Sequence, residues 1–173
     1  RFVDWNIYGR LEQLFLKLFL VEQDLSVQVV LDVSASSATG EPPKALAIKR
    51  LGAALAYVAM VNNSRVSVSL FADGVVGQLP NMRGRNYIGR MADFLLNADC
   101  QGPSNFAKAC RQLTAARTGT GVMIVVSDFF FKEGYDEALR RLISRNYDLY
   151  CIQMLSPQEV SPPMSGDLKL IDV

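Results

Sequence analysis

Two runs of apolar, mostly β-branched residues, Val27-Gln28-Val29-Val30-Leu31 and Val122-Met123-Ile124-Val125-Val126, each run out into an aspartate, Asp32 and Asp128. A strand with one face in water alternates polar and apolar residues; a nearly continuous apolar run is what a strand covered on both faces requires. Between and after the two runs the spacing turns helical. Leu46, Ile48, Leu51, Leu55 and Val58 recur mostly three or four residues apart behind Pro42 and Pro43, where a helix can begin. Tyr87, Met91, Phe94 and Leu95 outline a second helix, Phe106, Ala109, Cys110 and Leu113 a third, and Leu139, Leu142 and Ile143 a fourth. Buried strands alternating with helices of this length predict an α/β fold, doubly wound and Rossmann-like, with a mostly parallel central sheet and helices on both faces.

The remaining pattern fills in that frame. Leu14 to Val21 reads as a strand adjacent to Val27–Leu31 across a Glu22-Gln23-Asp24 turn. Val66 to Phe71 alternates with Ser67 and Ser69, and Asp73-Gly74 turns the chain into Val75 to Leu79, a hairpin-like pair expected near a sheet edge. Leu149 to Leu155 is a further strand, and Leu168 to Ile171 a last one behind a Pro157 to Gly166 loop. Gly52 and the alanines around it permit close approach of the first helix to the sheet. At 173 residues, 50% hydrophobic and 20% charged, the chain buries one core, so residues 1–173 form a single domain. Beginning at Arg1 rather than Met and stopping in mid-pattern at Val173, it reads as a piece of a longer protein.

Composition excludes several functions. A net charge of +1 gives no footprint for nucleic acid, and Arg83, Arg85 and Arg90 read as a solvated surface. The absence of histidine removes Ser-His-Asp and Cys-His nucleophiles, histidine acid/base chemistry and most catalytic zinc sites. Cys100, Cys110 and Cys151 lack metal-ligand spacing and fit a reduced, cytoplasmic interior. The longest apolar run, Leu51 to Val61, is too short to span a bilayer, and no signal-peptide pattern opens the chain.

In sheets of this kind the binding crevice lies at the carboxyl ends of the central strands. Two loops leave such strands with an acid, Asp32-Val33-Ser34-Ala35-Ser36 and Ser127-Asp128, and a third, Gly102-Pro103-Ser104-Asn105, offers a hydroxyl. Alternation in an extended loop would turn Asp32, Ser34 and Ser36 to one side. Oxygen donors with few carboxylates suit a hard cation, Mg²⁺ before softer metals, and leave it enough positive charge to accept a partner's carboxylate. The same loops are also ordinary turns, and Ser104 stands where a helix N-cap would.

These motifs resemble those of the von Willebrand factor A superfamily, whose metal-ion-dependent adhesion site combines D-x-S-x-S, a Thr or Ser loop and a later Asp. More narrowly, Arg1-Phe2-Val3-Asp4-Trp5-Asn6, Leu31 to Ser36, Gly102 to Asn105, Val126 to Phe129 and Ser156-Pro157-Gln158-Glu159 look like the bacterial domain of unknown function 58 family, in its order and over nearly the whole chain. The resemblance implies that Ser34, Ser36 and Ser104 are hydroxyl ligands, with Asp32 and Asp128 acting directly or through water, for Mg²⁺ (or Mn²⁺ or Ca²⁺). Ser104 stands where Thr is commoner, and Ser37 where many relatives have Met. Relatives are often encoded near MoxR-type AAA+ ATPases, which implies an adaptor that binds such a protein.

Three readings remain. The first is a metal-dependent protein-binding module, not an enzyme, whose partner supplies an Asp or Glu to the ion. The second is a metal-assisted hydrolase, which needs a base that this chain does not obviously supply. The third is a structural scaffold without an ion.

Overall fold

Phe2–Val3 (β1) and Leu16–Lys17 (β2) pair antiparallel in a two-stranded sheet of their own, so Leu16–Lys17 is not the neighbour of the first central strand that hydropathy suggests. Alternation identifies a strand; it does not choose its partner. The computed structural model describes residues 2–3, 16–17, 25–115, 121–144 and 147–162. The expected turn at Glu22-Gln23-Asp24, the expected strand at Leu168 to Ile171, and Arg1, Asp4 and Trp5 lie outside them.

Ser26–Asp32 is β3 and Lys44–Val61 the long α1; Arg65–Ala72 (β4) and Gly74–Met82 (β5) form the hairpin. Ile88–Leu96 is α2, Phe106–Ala115 α3, Gly121–Ser127 β6, Asp136–Ile143 α4 and Tyr147–Gln153 β7. A short helix, Pro157–Val160 (α5), replaces the start of the expected Pro157–Gly166 loop. Ser156 and Glu159 form its capping box, which is what nucleates a turn there.

The main sheet has the order β5-β4-β3-β6-β7, with β3 in the middle and only β5, at one edge, antiparallel. Side chains of β3 alternate between two cores. Val27, Val29 and Leu31 pack with Ile48, Ala56 and Met60 of α1 and Met91 and Leu95 of α2. Val30 points the other way, to Phe106, Ala109, Cys110 and Leu113 of α3 and Leu142 of α4. The fold is thus the doubly wound α/β sheet that the hydropathy predicts. Gly52 sets the approach of α1, since a Cβ there would stand 2.5 Å from Leu31 Cδ1.

The chain leaves β3 for β4 on one side and later enters β6 on the other, so the strand order reverses beside β3. Parallel pairing of Val27 with Val122 through Leu31 with Val126 brings both strands to the same end of the sheet together. Asp32 and Asp128 therefore emerge side by side, where a crevice is expected.

Candidate metal centre

Asp32 is the last residue of β3 and almost fully buried. Its Oδ1 accepts hydrogen bonds from the Ser34 amide (2.9 Å) and the Ser34 hydroxyl (2.6 Å), and its Oδ2 from the Ser127 hydroxyl (2.6 Å). Burial is the largest influence on this carboxyl and carries its pKa above the ordinary value, against the hydrogen bonds from Ser127 and Ser34 and with a smaller push from Asp128.

Ser34 is extended, and Ala35–Ala38 then closes into a 3-10 turn rather than continuing as an extended loop. The turn is stitched by Ser37 Oγ donating to the Ser34 carbonyl and Thr39 Oγ1 to the Ser36 carbonyl. Ser34 and Ser36 still meet, their hydroxyls 3.1 Å apart, because the turn and not strand alternation swings Ser36 back. Ser36 Oγ then donates to Asp128 Oδ2 at 3.0 Å, across 92 residues of chain. Ser37 places its hydroxyl on the backbone, donating to the Ser34 carbonyl.

Asp128 is fixed from its own loop. The Phe130 amide donates to Asp128 Oδ1 at 3.1 Å, and Gln153 Nε2 to its carbonyl at 3.0 Å. Phe129 between them has φ of 59°, a conformation that costs a non-glycine residue about 1–3 kcal/mol and persists only where surroundings enforce it. Its ring packs edge-on against Phe106, Phe131 and Tyr135, and its amide donates to Ser127 Oγ, which supplies that enforcement.

The third loop is tied in through backbone: the Ala35 amide donates to the Gly102 carbonyl at 2.9 Å and the Gln101 amide to the Val33 carbonyl at 3.1 Å. The expected N-cap role of Ser104 belongs to its neighbour, since Asn105 Oδ1 accepts from the Lys108 amide at 3.0 Å. Ser104 Oγ is instead buried without a hydrogen-bond partner, one of two such side-chain atoms among the described residues. Ser34, Ser36 and Ser104 line one cavity of about 230 Å³, bordered by Pro103, Phe130 and Lys132. All five sequence-derived residues, Asp32, Ser34, Ser36, Ser104 and Asp128, thus gather at this end of the sheet. A buried hydroxyl left without a partner costs stability unless something absent from the chain engages it, and an all-oxygen donor set is what a hard cation takes.

Lys44 and Glu159 complete the surroundings and were not singled out as functional from sequence. Lys44, in the first turn of α1, is 4% exposed; its Nζ lies 2.9 Å from Asp128 Oδ2 and 2.5 Å from Glu159 Oε1. Burial opposes its charge, but hydrogen bonds to Glu159 and Asp128 outweigh burial and hold its pKa above the usual lysine value. Burial likewise opposes ionisation of Glu159, and Lys44 and Ser156 reverse that, leaving its pKa below the usual carboxylate value. One signal was available: a lysine opening a helix with no acid in its first turn sits at the wrong end of the helix dipole, so it needs a carboxylate from elsewhere. For Glu159 the signal was the Ser156-Pro157-Gln158-Glu159 capping box.

Sheet order, the D-x-S-x-S loop leaving the central strand and the neighbouring strand's terminal acid define a von Willebrand factor A-like α/β domain. Within that class the chain belongs to the family described as Protein of unknown function DUF58, which matches residues 1–173. Uncharacterized proteins of Mycobacterium tuberculosis and Mycobacterium bovis are each 23% identical over 179 residues, covering 99% of this chain and 56% of the relative. The chain therefore spans little more than half the length of these relatives. Among solved structures, an aerotolerance-related membrane protein from Bacteroides fragilis is similar with a TM-score of 0.62 and 21% identity, over 83% of this chain and 77% of that one. Proximal thread matrix protein 1 from the mussel byssus gives 0.59 and 12%, over 75% and 37%. The manganese-loaded Plasmodium vivax TRAP protein gives 0.50 and 13%, over 76% and 57%. These likenesses bear on the fold. Among the described residues no helix is long and apolar enough to cross a membrane.

Proposed function

We propose that this chain is a cation-dependent protein-binding module and not an enzyme. Ser34, Ser36 and Ser104 would hold Mg²⁺, or Mn²⁺ or Ca²⁺, through their hydroxyls, with Asp32 and Asp128 acting directly or through water. The observation that carries this reading is the buried, partnerless Ser104 hydroxyl on the wall that Ser34 and Ser36 share. Among the described residues no three His, Cys, Asp or Glu side chains cluster, so a cation here would rest on hydroxyls and a pair of carboxylates. Such a poorly neutralised ion stays electrophilic, and an Asp or Glu from a partner completes its shell.

A partner would meet more than the ion. Phe130, 62% exposed on the cavity wall, offers an apolar contact beside the carboxylate's place, the kind of aromatic anchor on which interfaces depend. The family resemblance makes a MoxR-type AAA+ ATPase the first partner to test. Lys44 favours a second reading, a scaffold in which its ammonium supplies the positive charge and no metal enters.

Titration calorimetry with Mn²⁺ separates the two, manganese being the metal named with the TRAP structure. The module reading expects saturable uptake by the wild type and none by Asp32→Asn, which keeps the side-chain size and acceptor. It also expects binding to a purified MoxR-type ATPase that needs the cation and is lost in Asp32→Asn. A wild-type protein that takes none of Mn²⁺, Mg²⁺ and Ca²⁺ leaves only the scaffold.

A further inference from the structure

Lys44 is the one buried cation found among the described residues, and it joins two carboxylates that belong to different parts of the chain. Asp128 Oδ2 receives both Ser36 Oγ, at 3.0 Å, and Lys44 Nζ, at 2.9 Å. Glu159, on the far side of Lys44, is part of α5, and α5 rests on the segment that follows the D-x-S-x-S motif. Gln158 Nε2 donates to the Glu41 carbonyl at 3.2 Å, the Glu41 amide donates to Gln158 Oε1 at 3.4 Å, and a Cβ on Gly40 would meet Ser156 Cβ at 2.7 Å. The capping box aims the carboxylate: Glu159 Oε2 accepts from the Ser156 amide at 2.7 Å while Oε1 holds Lys44.

We propose that the Asp128–Lys44–Glu159 ion-pair chain couples the cation site to α5, so that occupancy of the site and docking of α5 on residues 39–44 each favour the other. The inference rests on the cation-site reading above. A divalent ion drawing on Asp128 and Ser36 competes with Lys44 for the same carboxylate oxygen and repels its ammonium. Lys44 then depends on Glu159. With α5 docked, Glu159 neutralises the ammonium and the ion is tolerated. With α5 displaced, an uncompensated buried ammonium faces the ion, and affinity falls. The coupling is reciprocal by linkage, so the cation in turn holds α5 down. A helix of four residues has no stability of its own, which makes α5 an element that one ion pair can shift. Whatever a partner or the rest of the protein does to α5 would thereby be felt at the cation.

The test compares Mn²⁺ affinity by calorimetry, and amide exchange across 157–161 by mass spectrometry, in wild type, Glu159→Gln and Asp32→Asn. The expected result is saturable binding in wild type and affinity about tenfold weaker in Glu159→Gln, the scale of one uncompensated charge near a partly solvated ion. Saturating Mn²⁺ slows exchange of α5 amides in wild type and not in Asp32→Asn. Equal affinity in wild type and Glu159→Gln, both folded and both binding, overturns the coupling and leaves the cation site standing, as does exchange in α5 that ignores the cation. No uptake by wild type overturns both. Lys44→Met is a second variant: where it folds, its affinity equals or exceeds that of wild type, and a loss of affinity there also overturns the coupling.

Discussion

Glu159 is a surface-proximal acid whose charge has structural work at both oxygens, toward Lys44 and toward the Ser156 amide. Its pKa lies below the ordinary glutamate value, about 4.3 in an unfolded chain. The unfolded state therefore binds the proton first as pH falls, and the stabilisation is present above the unfolded value and lost as pH drops through the folded one. Urea midpoints measured from neutral pH down to about pH 3 should decline in wild type with a contribution that Glu159→Gln lacks, so the two curves converge at the acid end. Cys110 shows burial as the leading influence. Enclosed in the core between α3 and α4 and pushed by burial, then by the neighbouring Cys151, its thiol pKa rises to about 12. Thiolate is the reactive form, so native Cys110 should resist iodoacetamide and be alkylated only on global unfolding, while the exposed Cys151 is modified without unfolding. Peptide mapping after native and denatured labelling checks this.

At the scale of elements, β3 and β6 approach closely at Gly121. Gly121 opens β6, and a Cβ there would be driven into the Ser26 carbonyl of β3, a backbone atom that cannot rotate away. Gly121→Ala should therefore lower stability by about 1–3 kcal/mol in urea denaturation, with the fold retained. That both strands are covered on two faces was legible in the sequence, from the near-continuous apolar runs Val27–Leu31 and Val122–Val126, whereas their pairing with each other is seen only in the structure. The helices were legible from their spacing, and the hairpin from Asp73-Gly74. What periodicity does not encode stayed hidden: that Leu16–Lys17 pairs with Phe2–Val3, that Asn105 and not Ser104 caps α3, and that Ala35–Ala38 winds into a 3-10 turn. The candidate site followed from topology, since strands that end together bring their terminal acids together. Lys44 escaped notice because its partners lie 84 and 115 residues away, and an ion pair at that separation leaves no repeating mark along the chain.

For the whole molecule, the arrangement of the cores decides how the site and the fold depend on each other. Both faces of the sheet are closed by helices over apolar clusters, and Asp32 ends β3 while Asp128 follows directly on β6. Folding draws its driving force from the clusters, so removal of cations should not unfold the protein, unlike a small domain whose metal substitutes for a core. Chelator-treated protein is expected to melt cooperatively with intact secondary structure. A ligand that binds only the folded form still stabilises it by mass action, by about 2.7 kcal/mol at a hundredfold excess over Kd. For a domain of this length that is a rise of about 5 to 10 °C in the melting temperature. Calorimetric scans with chelator, and then with Mg²⁺ or Mn²⁺ at rising concentration, should show an upward shift that grows with the logarithm of cation concentration and is missing in Asp32→Asn. A melting temperature that collapses in chelator would mean that the cation holds the strand ends together, and the sheet would then be the dependent partner instead of the platform.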